Sequence, residues 1–156
     1  MRVQICAVGR LRAGPERELV EDYLTRFDRT GRGLGLGPSS LVEVEDKKNT
    51  GPEAEAALLK KQIPHDAVIC TLDERGKLLS SPEFSNLLAG WRDAGRAHVS
   101  FIIGGADGIA PSLRSEADYS LSFGKMVWPH MLARVMLCEQ LYRAASIAAR
   151  LPYHRT

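Results

Sequence analysis

Apolar runs of strand length alternate with stretches of helical period along this 156-residue chain. "VQICAVG" reads as a buried strand. Pro15 then opens a helix that sets Leu19, Val20, Tyr23, Leu24 and Phe27 on one face. "LVEVED" is a second strand, "PEAEAALLKKQI" a helix, and "DAVICTLDERG" a third strand ending at Leu72–Asp73. "SPEFSNLLAGWRDAG" carries the signals of a capped helix stopped by Gly95. "HVSFIIGG" is a fourth strand, "PSLRSEA" a short helix and "YSLSFG" a short strand, and a long helix follows from "WPHMLARV" onward. Alternation of this kind predicts an α/β fold, a mostly parallel sheet with helices on both faces. Ligands of such sheets collect at the carboxyl ends of the strands. Three ends are candidates here: the 72–76 loop, the 104–110 loop and the 123–128 segment.

The length predicts one domain over residues 1–156. With 44% apolar and 26% charged residues the chain reads as an ordinary globular protein, and no apolar run is long enough to span a membrane. "MRVQICAVGR" turns polar too soon for a signal peptide, so a cytoplasmic location is expected. Cys6, Cys70 and Cys138 lie in apolar or helical patterns without metal-ligand spacing, so buried reduced thiols and no metal are expected. A net charge of +2 does not announce a nucleic-acid partner. From Pro129 onward, though, four arginines face the single Glu139. That end either touches phosphate or merely matches a helix dipole.

Two glycine-bearing segments invite a nucleotide. "TGRGLGLGPSS" follows a helix and has Pro38 where a fingerprint needs its last glycine, so a mobile surface loop is expected. "FIIGGADGIAP" ends a strand at Gly104–Gly105, which permits either a tight turn or the close approach of a ligand. The last helix sets Arg134 in the middle of its apolar arc. An arginine there needs a buried carboxylate, an oligomer partner or a polar site facing it.

Taken together, "FIIGGADGI", "LSFGKMVWPHMLARVMLCEQLYRA" and the ending "LPYHR" resemble the RlmH family of ribosomal RNA methyltransferases, members of the SPOUT superfamily. The resemblance spans the chain and is most specific in its last third. It implies a C-terminal trefoil knot, against the usual rule that chains do not thread. It implies S-adenosylmethionine held mainly by backbone groups at Leu72, Gly104, Phe123, Gly124, Lys125, Met126, Val127 and Trp128. It implies a homodimer with the final helices at its interface. The substrate it implies is a pseudouridine of 23S ribosomal RNA, methylated at N3 in the assembled ribosome. Tyr153, His154 and Arg155 are the candidate catalytic residues. His154 is the candidate base because histidine as a residue type suits proton transfer at working pH, and Arg155 has the charge to steady an anion or a phosphate. A frayed terminus is the other reading of that tail. A non-catalytic nucleotide- or RNA-binding module, or a SPOUT enzyme acting on another RNA, is the alternative function.

Overall fold

The computed structural model describes residues 1–155. Its five strands are β1 (Arg2–Val8), β2 (Ser39–Val44), β3 (Val68–Leu78), β4 (His98–Ile103) and β5 (Tyr119–Ser122). They form one sheet in the order β2-β1-β4-β3-β5, and every pairing is parallel. The helices between them are α1 (Pro15–Gly31), α2 (Pro52–Gln62), α3 (Ser81–Asp93) and α4 (Pro111–Glu116), with α5 (His130–Ala148) last. Steps from β1 to β2 and from β3 to β4 run one way along the sheet. Those from β2 to β3 and from β4 to β5 run the other way. A uniform right-handed crossover then requires α1 and α3 on one face and α2 and α4 on the opposite one.

The burial pattern follows that division. On β1, Val3, Ile5 and Ala7 join the core under α1, α3 and α5, which includes Phe27, Phe84, Phe101, Leu88 and Leu137. Cys6 and Val8 point the other way, into a smaller core with Leu59 of α2 and Leu113 of α4. Both faces of β1 are covered along its second half, which is why residues 5–8 are continuously apolar rather than alternating. The three thiols are buried and free. Burial raises the Cys6 and Cys138 thiols to about 12 and pushes Cys70 up as well, so none is a nucleophile at neutral pH.

Three features depart from the sequence reading. β3 does not end at Leu72–Asp73. It continues to Leu78, because Leu72 and Lys77 both pair with Leu121 of β5 and the residues between them bulge outward. Gly76 permits this: a Cβ there would come within 2.7 Å of the Ser120 backbone. The segment after α1 is not a mobile loop. Leu36 is buried, the Met1 ammonium donates to the Gly35 carbonyl at 2.7 Å, and Arg92 donates to the Leu34 carbonyl at 2.8 Å. α5 starts at His130, after Pro129, and not at Trp128. Its end is set before Pro152, where Arg150 turns left-handed (φ 58°) and Leu151 N–H closes on the Ser146 carbonyl at 2.9 Å. The capped start of α3 is as expected. The Ser80 hydroxyl accepts from Glu83 N–H while Glu83 accepts from Ser80 N–H, and Gly95 follows at φ 80°.

Candidate active site

The loop after β3 leaves toward one face of the sheet and the loop after β4 toward the other, so a crevice opens between their carboxyl ends. Residues 123–129 cross this opening, carrying the chain from β5 at the sheet edge to α5. A cavity of about 360 Å³ lies there. Its wall comes from the β3 bulge, the 105–109 turn, the 123–128 segment, Arg114 and Ala133. Of the eight positions expected to hold the methyl donor, Leu72, Phe123, Gly124, Met126, Val127 and Trp128 line this cavity. Gly104 and Lys125 are not in its lining.

The glycines of the 104–108 turn have separate duties. At Gly104 a Cβ would lie 2.6 Å from the Gly108 carbonyl, so the turn's own backbone fills the space beside it. At Gly105 it would meet Glu55 at 3.0 Å and Val8 at 3.2 Å. Neither has a positive φ. The double glycine is therefore explained by close packing inside the protein. Gly108 (φ 79°) and Gly124 (φ 118°) are different: both line the cavity, and nothing lies within 4 Å of where a Cβ would be. These two glycines keep backbone amides and carbonyls bare toward the cavity.

Arg134, at the start of α5, is wholly buried. Its guanidinium donates to Glu43 Oε2 at 2.8 Å and to the Val8 and Gly9 carbonyls at 3.2 Å each. The same Glu43 oxygen accepts Leu11 N–H at 2.6 Å. Within the chain, the carboxylate it meets is the partly buried Glu43, a quarter exposed. This clamp ties α5, and the 123–129 segment before it, to the end of β1. Beside it, burial and then the Arg134 charge lower the pKa of His130 below its ordinary value.

The tail is folded back onto α5. Tyr153 donates to Glu139 Oε1 at 2.9 Å, Arg143 pairs with the same carboxylate, and the Arg143 guanidinium lies 4.8 Å from the Tyr153 ring centre. Burial first, then Glu139, raises the Tyr153 pKa, so its hydroxyl stays protonated. Arg143 Nη1 meets His154 Nδ1 at 3.2 Å. A guanidinium can only donate, so this contact puts the imidazole proton on Nε2. His154 then offers a donor outward, not a lone pair. Arg155 is exposed.

Tail and cavity do not meet within one chain. Ala133 lines the cavity and Arg143 holds His154, ten residues further along α5. That is about 15 Å at 1.5 Å per residue. Between them a second cavity of about 460 Å³, lined by Tyr23, Leu79, Phe84, Phe123 and Glu139 among others, opens between α1, α3 and α5. At the cavity mouth Met126 is 75% exposed and Val127 83%, with Trp128, Met131 and Leu132 near 40%.

A family profile described as "Predicted SPOUT methyltransferase" matches residues 1–154. The chain belongs to the SPOUT methyltransferase family. Its relatives include a Ruegeria pomeroyi protein named "Ribosomal RNA large subunit methyltransferase H", 72% identical over 99% of both chains. A protein of the same name from Dinoroseobacter shibae is 69% identical over 99% of both. Among solved structures, a probable methylase family protein from Haemophilus influenzae aligns over 99% of this chain and 70% of its own. Its TM-score is 0.51 at 13% identity, a likeness of fold alone. Asp73, Arg75, Asp107 and Arg114 are cavity residues that the sequence reading did not single out. The signal for Asp73 was a charged residue directly after an apolar strand run. Among the described residues no group of His, Cys, Asp or Glu could hold a metal.

Proposed function

We propose that this protein transfers a methyl group from S-adenosylmethionine to N3 of a pseudouridine in 23S ribosomal RNA of the assembled ribosome. The observation that carries this is the cavity at the ends of β3, β4 and β5, lined by six of the eight expected positions and by the bare backbone of Gly108 and Gly124. Its volume lies within the range of small-molecule sites. Bare peptide groups, the apolar Leu72, Phe123 and Trp128, and a charged wall at Asp73 and Arg114 suit a molecule with a flat neutral half and a charged half. S-adenosylmethionine supplies a sulfonium methyl that is already strongly electrophilic. The chain's share is positioning and handling of the N3 proton.

The homodimer belongs to the same proposal. An exposed apolar stretch from Met126 to Leu132 beside the cavity is a surface that a second copy would cover. In that pair the tail of one chain would serve the cavity of the other, because about 15 Å of α5 separates it from its own. His154, with its proton on Nε2, would donate to a carbonyl flanking N3 and steady the anion formed as N3 gives its proton to solvent water. Arg155 would add charge against that anion or a nearby phosphate. Tyr153 orients this pair by its bond to Glu139. Assembled ribosomes are the substrate, and the cytoplasm is the expected place. The test is methyl transfer from labelled S-adenosylmethionine to ribosomes and to free ribosomal RNA, with mass mapping of the product. Label on one pseudouridine of 23S RNA in ribosomes supports the proposal. No transfer to either substrate would reduce the protein to a binding module.

A further inference from the structure

The cavity gives no task to the glycine-rich segment between α1 and β2, yet that segment is firmly built. Leu36 is buried, the Gly35 carbonyl accepts the Met1 ammonium at 2.7 Å, and Gly37 N–H donates to the Met1 carbonyl at 2.8 Å. Arg92, in the last turn of α3, donates to the Leu34 carbonyl at 2.8 Å. These bonds gather the start of β1, the end of α1 and the end of α3 at the amino end of the sheet. Arg2 lies there too, opposite His98 where β1 and β4 begin.

That end is rich in arginine. Residues 1–2, 28–37 and 92–96 hold Arg2, Arg29, Arg32, Arg92 and Arg96 against Asp28 and Asp93, a surplus of three in a chain of net charge +2. Both carboxylates are engaged: Asp28 accepts Ser39 N–H at 2.7 Å, and Asp93 pairs with Arg92 at 3.0 Å. Arg2, Arg29 and Arg32 are exposed. Neither they nor Arg96 have an ion pair among the described residues. Arg32 keeps helical dihedrals (φ −53°, ψ −45°), so it stands one turn after Arg29 on the same side. Arg96 Nη2 donates to the Asp66 carbonyl at 3.1 Å, so its head, like that of Arg92, is held in place with donors to spare. The cavity differs: its lining has three carboxylates, Asp73, Glu74 and Asp107, against two guanidiniums.

We infer that the amino end of the sheet is a second RNA contact, which grips phosphates outside the loop that enters the cavity. The inference rests on ribosomal RNA being the substrate. β4 runs from His98, beside Arg2, to Ile103, two residues before the cavity wall at Gly105. That is about 20 Å at 3.3 Å per residue. A loop seated in the cavity therefore leaves this face to another stretch of backbone, which a folded ribosome can bring there and a short hairpin cannot. A polyanion is drawn to a local surplus of charge, and this one exceeds the net charge of the whole chain. Guanidiniums match phosphate oxygens through two parallel N–H donors. An acidic membrane is the other broad anionic surface, but lipid-binding faces also set apolar side chains into the bilayer. The exposed large apolar residues, from Leu19 and Leu78 to the 126–132 stretch and Leu151, all lie on other segments.

The test is a salt titration of binding to assembled ribosomes, followed by kinetics. Each phosphate contact adds about 1 to the slope of log affinity against log salt. Arg29→Gln/Arg32→Gln should lower that slope by about 2, and Arg2→Gln alone by about 1. The double variant should raise KM for ribosomes about tenfold and leave kcat within about twofold, since the face is remote from the reaction. Its affinity for S-adenosylhomocysteine by calorimetry should match wild type, which also shows that it folds. Arg29→Lys/Arg32→Lys should keep most of the slope, because the charge remains. A slope within about 0.5 of wild type in both glutamine variants overturns the inference, and so does a fall in kcat with KM unchanged. Vesicles of acidic phospholipid that bind wild type and not the double variant, with the ribosome slope unmoved, would give the face to a membrane instead. Wild-type protein that neither binds nor methylates ribosomes overturns the ribosomal reading itself, whereas active wild type with an unmoved slope overturns this inference alone.

Discussion

The two ends of α5 each hold an arginine bound to a glutamate, and they do opposite work. At the N-terminal end Arg134 has no exposed surface and reaches two backbone carbonyls and Glu43 across to β1 and β2. At the C-terminal end Arg143 is a quarter exposed, and its partner Glu139 lies one turn away on the same helix. The first pair joins parts of the chain distant in sequence. The second joins nothing to the core, and what it holds is a tail. Losing the buried Arg134 strands two carbonyls and the partly buried Glu43, which is costly, whereas a pair whose members both reach solvent is cheap to break. The first end should therefore matter for stability and the second for activity.

The largest expected effect is on the buried end. Arg134→Met leaves Glu43 without its cation and two carbonyls without donors, and should lower stability by about 3 kcal/mol in chemical denaturation. A loss under about 1 kcal/mol would erase the contrast between the two ends. At the other end, deleting residues 153–156 should cost at least about 100-fold in methyl transfer to ribosomes, the usual effect of losing a proton-handling or anion-steadying group. Donor binding by calorimetry and the melting temperature should both stay near wild type. A truncated protein with full activity would make the tail mere packing on α5.

The smallest effect sharpens the buried end. The pKa of His130 is held below its ordinary 6.5 by burial, then by Arg134. The folded protein thus resists a proton that the unfolded chain accepts. The stability this contributes is present above about pH 6.5 and is lost as pH falls through the lower folded value. His130→Asn should flatten the decline in melting temperature between pH 7 and pH 5. An unchanged slope would mean that other groups set the acid limb.

How much of this was legible in the sequence follows from what kind of contact each part uses. Strand and helix order was readable because it depends on local periodicity, and a capped start to α3 and the stop at Gly95 were readable because they are local motifs, although the cap is Ser80, one residue before the segment read as helix. The three segments that meet at the cavity were also found, although the one at 72–76 is a bulge within β3 and not the strand's end. The partner of Arg134 was not, because Glu43 is 91 residues away and nothing near either residue marks the pair. The bulge at 73–76 was missed for a similar reason. It exists because Gly76 presses on β5, a strand not yet reached in the sequence. Of the two readings the double glycine left open, the tight turn accounts for Gly104, whose Cβ would meet the Gly108 carbonyl, while Gly108 and Gly124 leave the cavity open backbone.

The claim at the centre of this account is that a tail completes the cavity of a second chain. Subunit complementation tests it most directly. Gly124→Val disables the cavity, since φ 118° suits only glycine and a valine side chain would project into the open space there. His154→Ala disables the tail. Each variant alone should transfer almost no methyl group to ribosomes. Mixed and re-equilibrated, with heterodimers verified by native mass spectrometry, half of the pairs would be mixed and each would hold one intact site. Activity should return to about a quarter of wild type. If heterodimers form and activity stays at the level of the separate variants, the tail does not act across the dimer, and this account of the site is wrong.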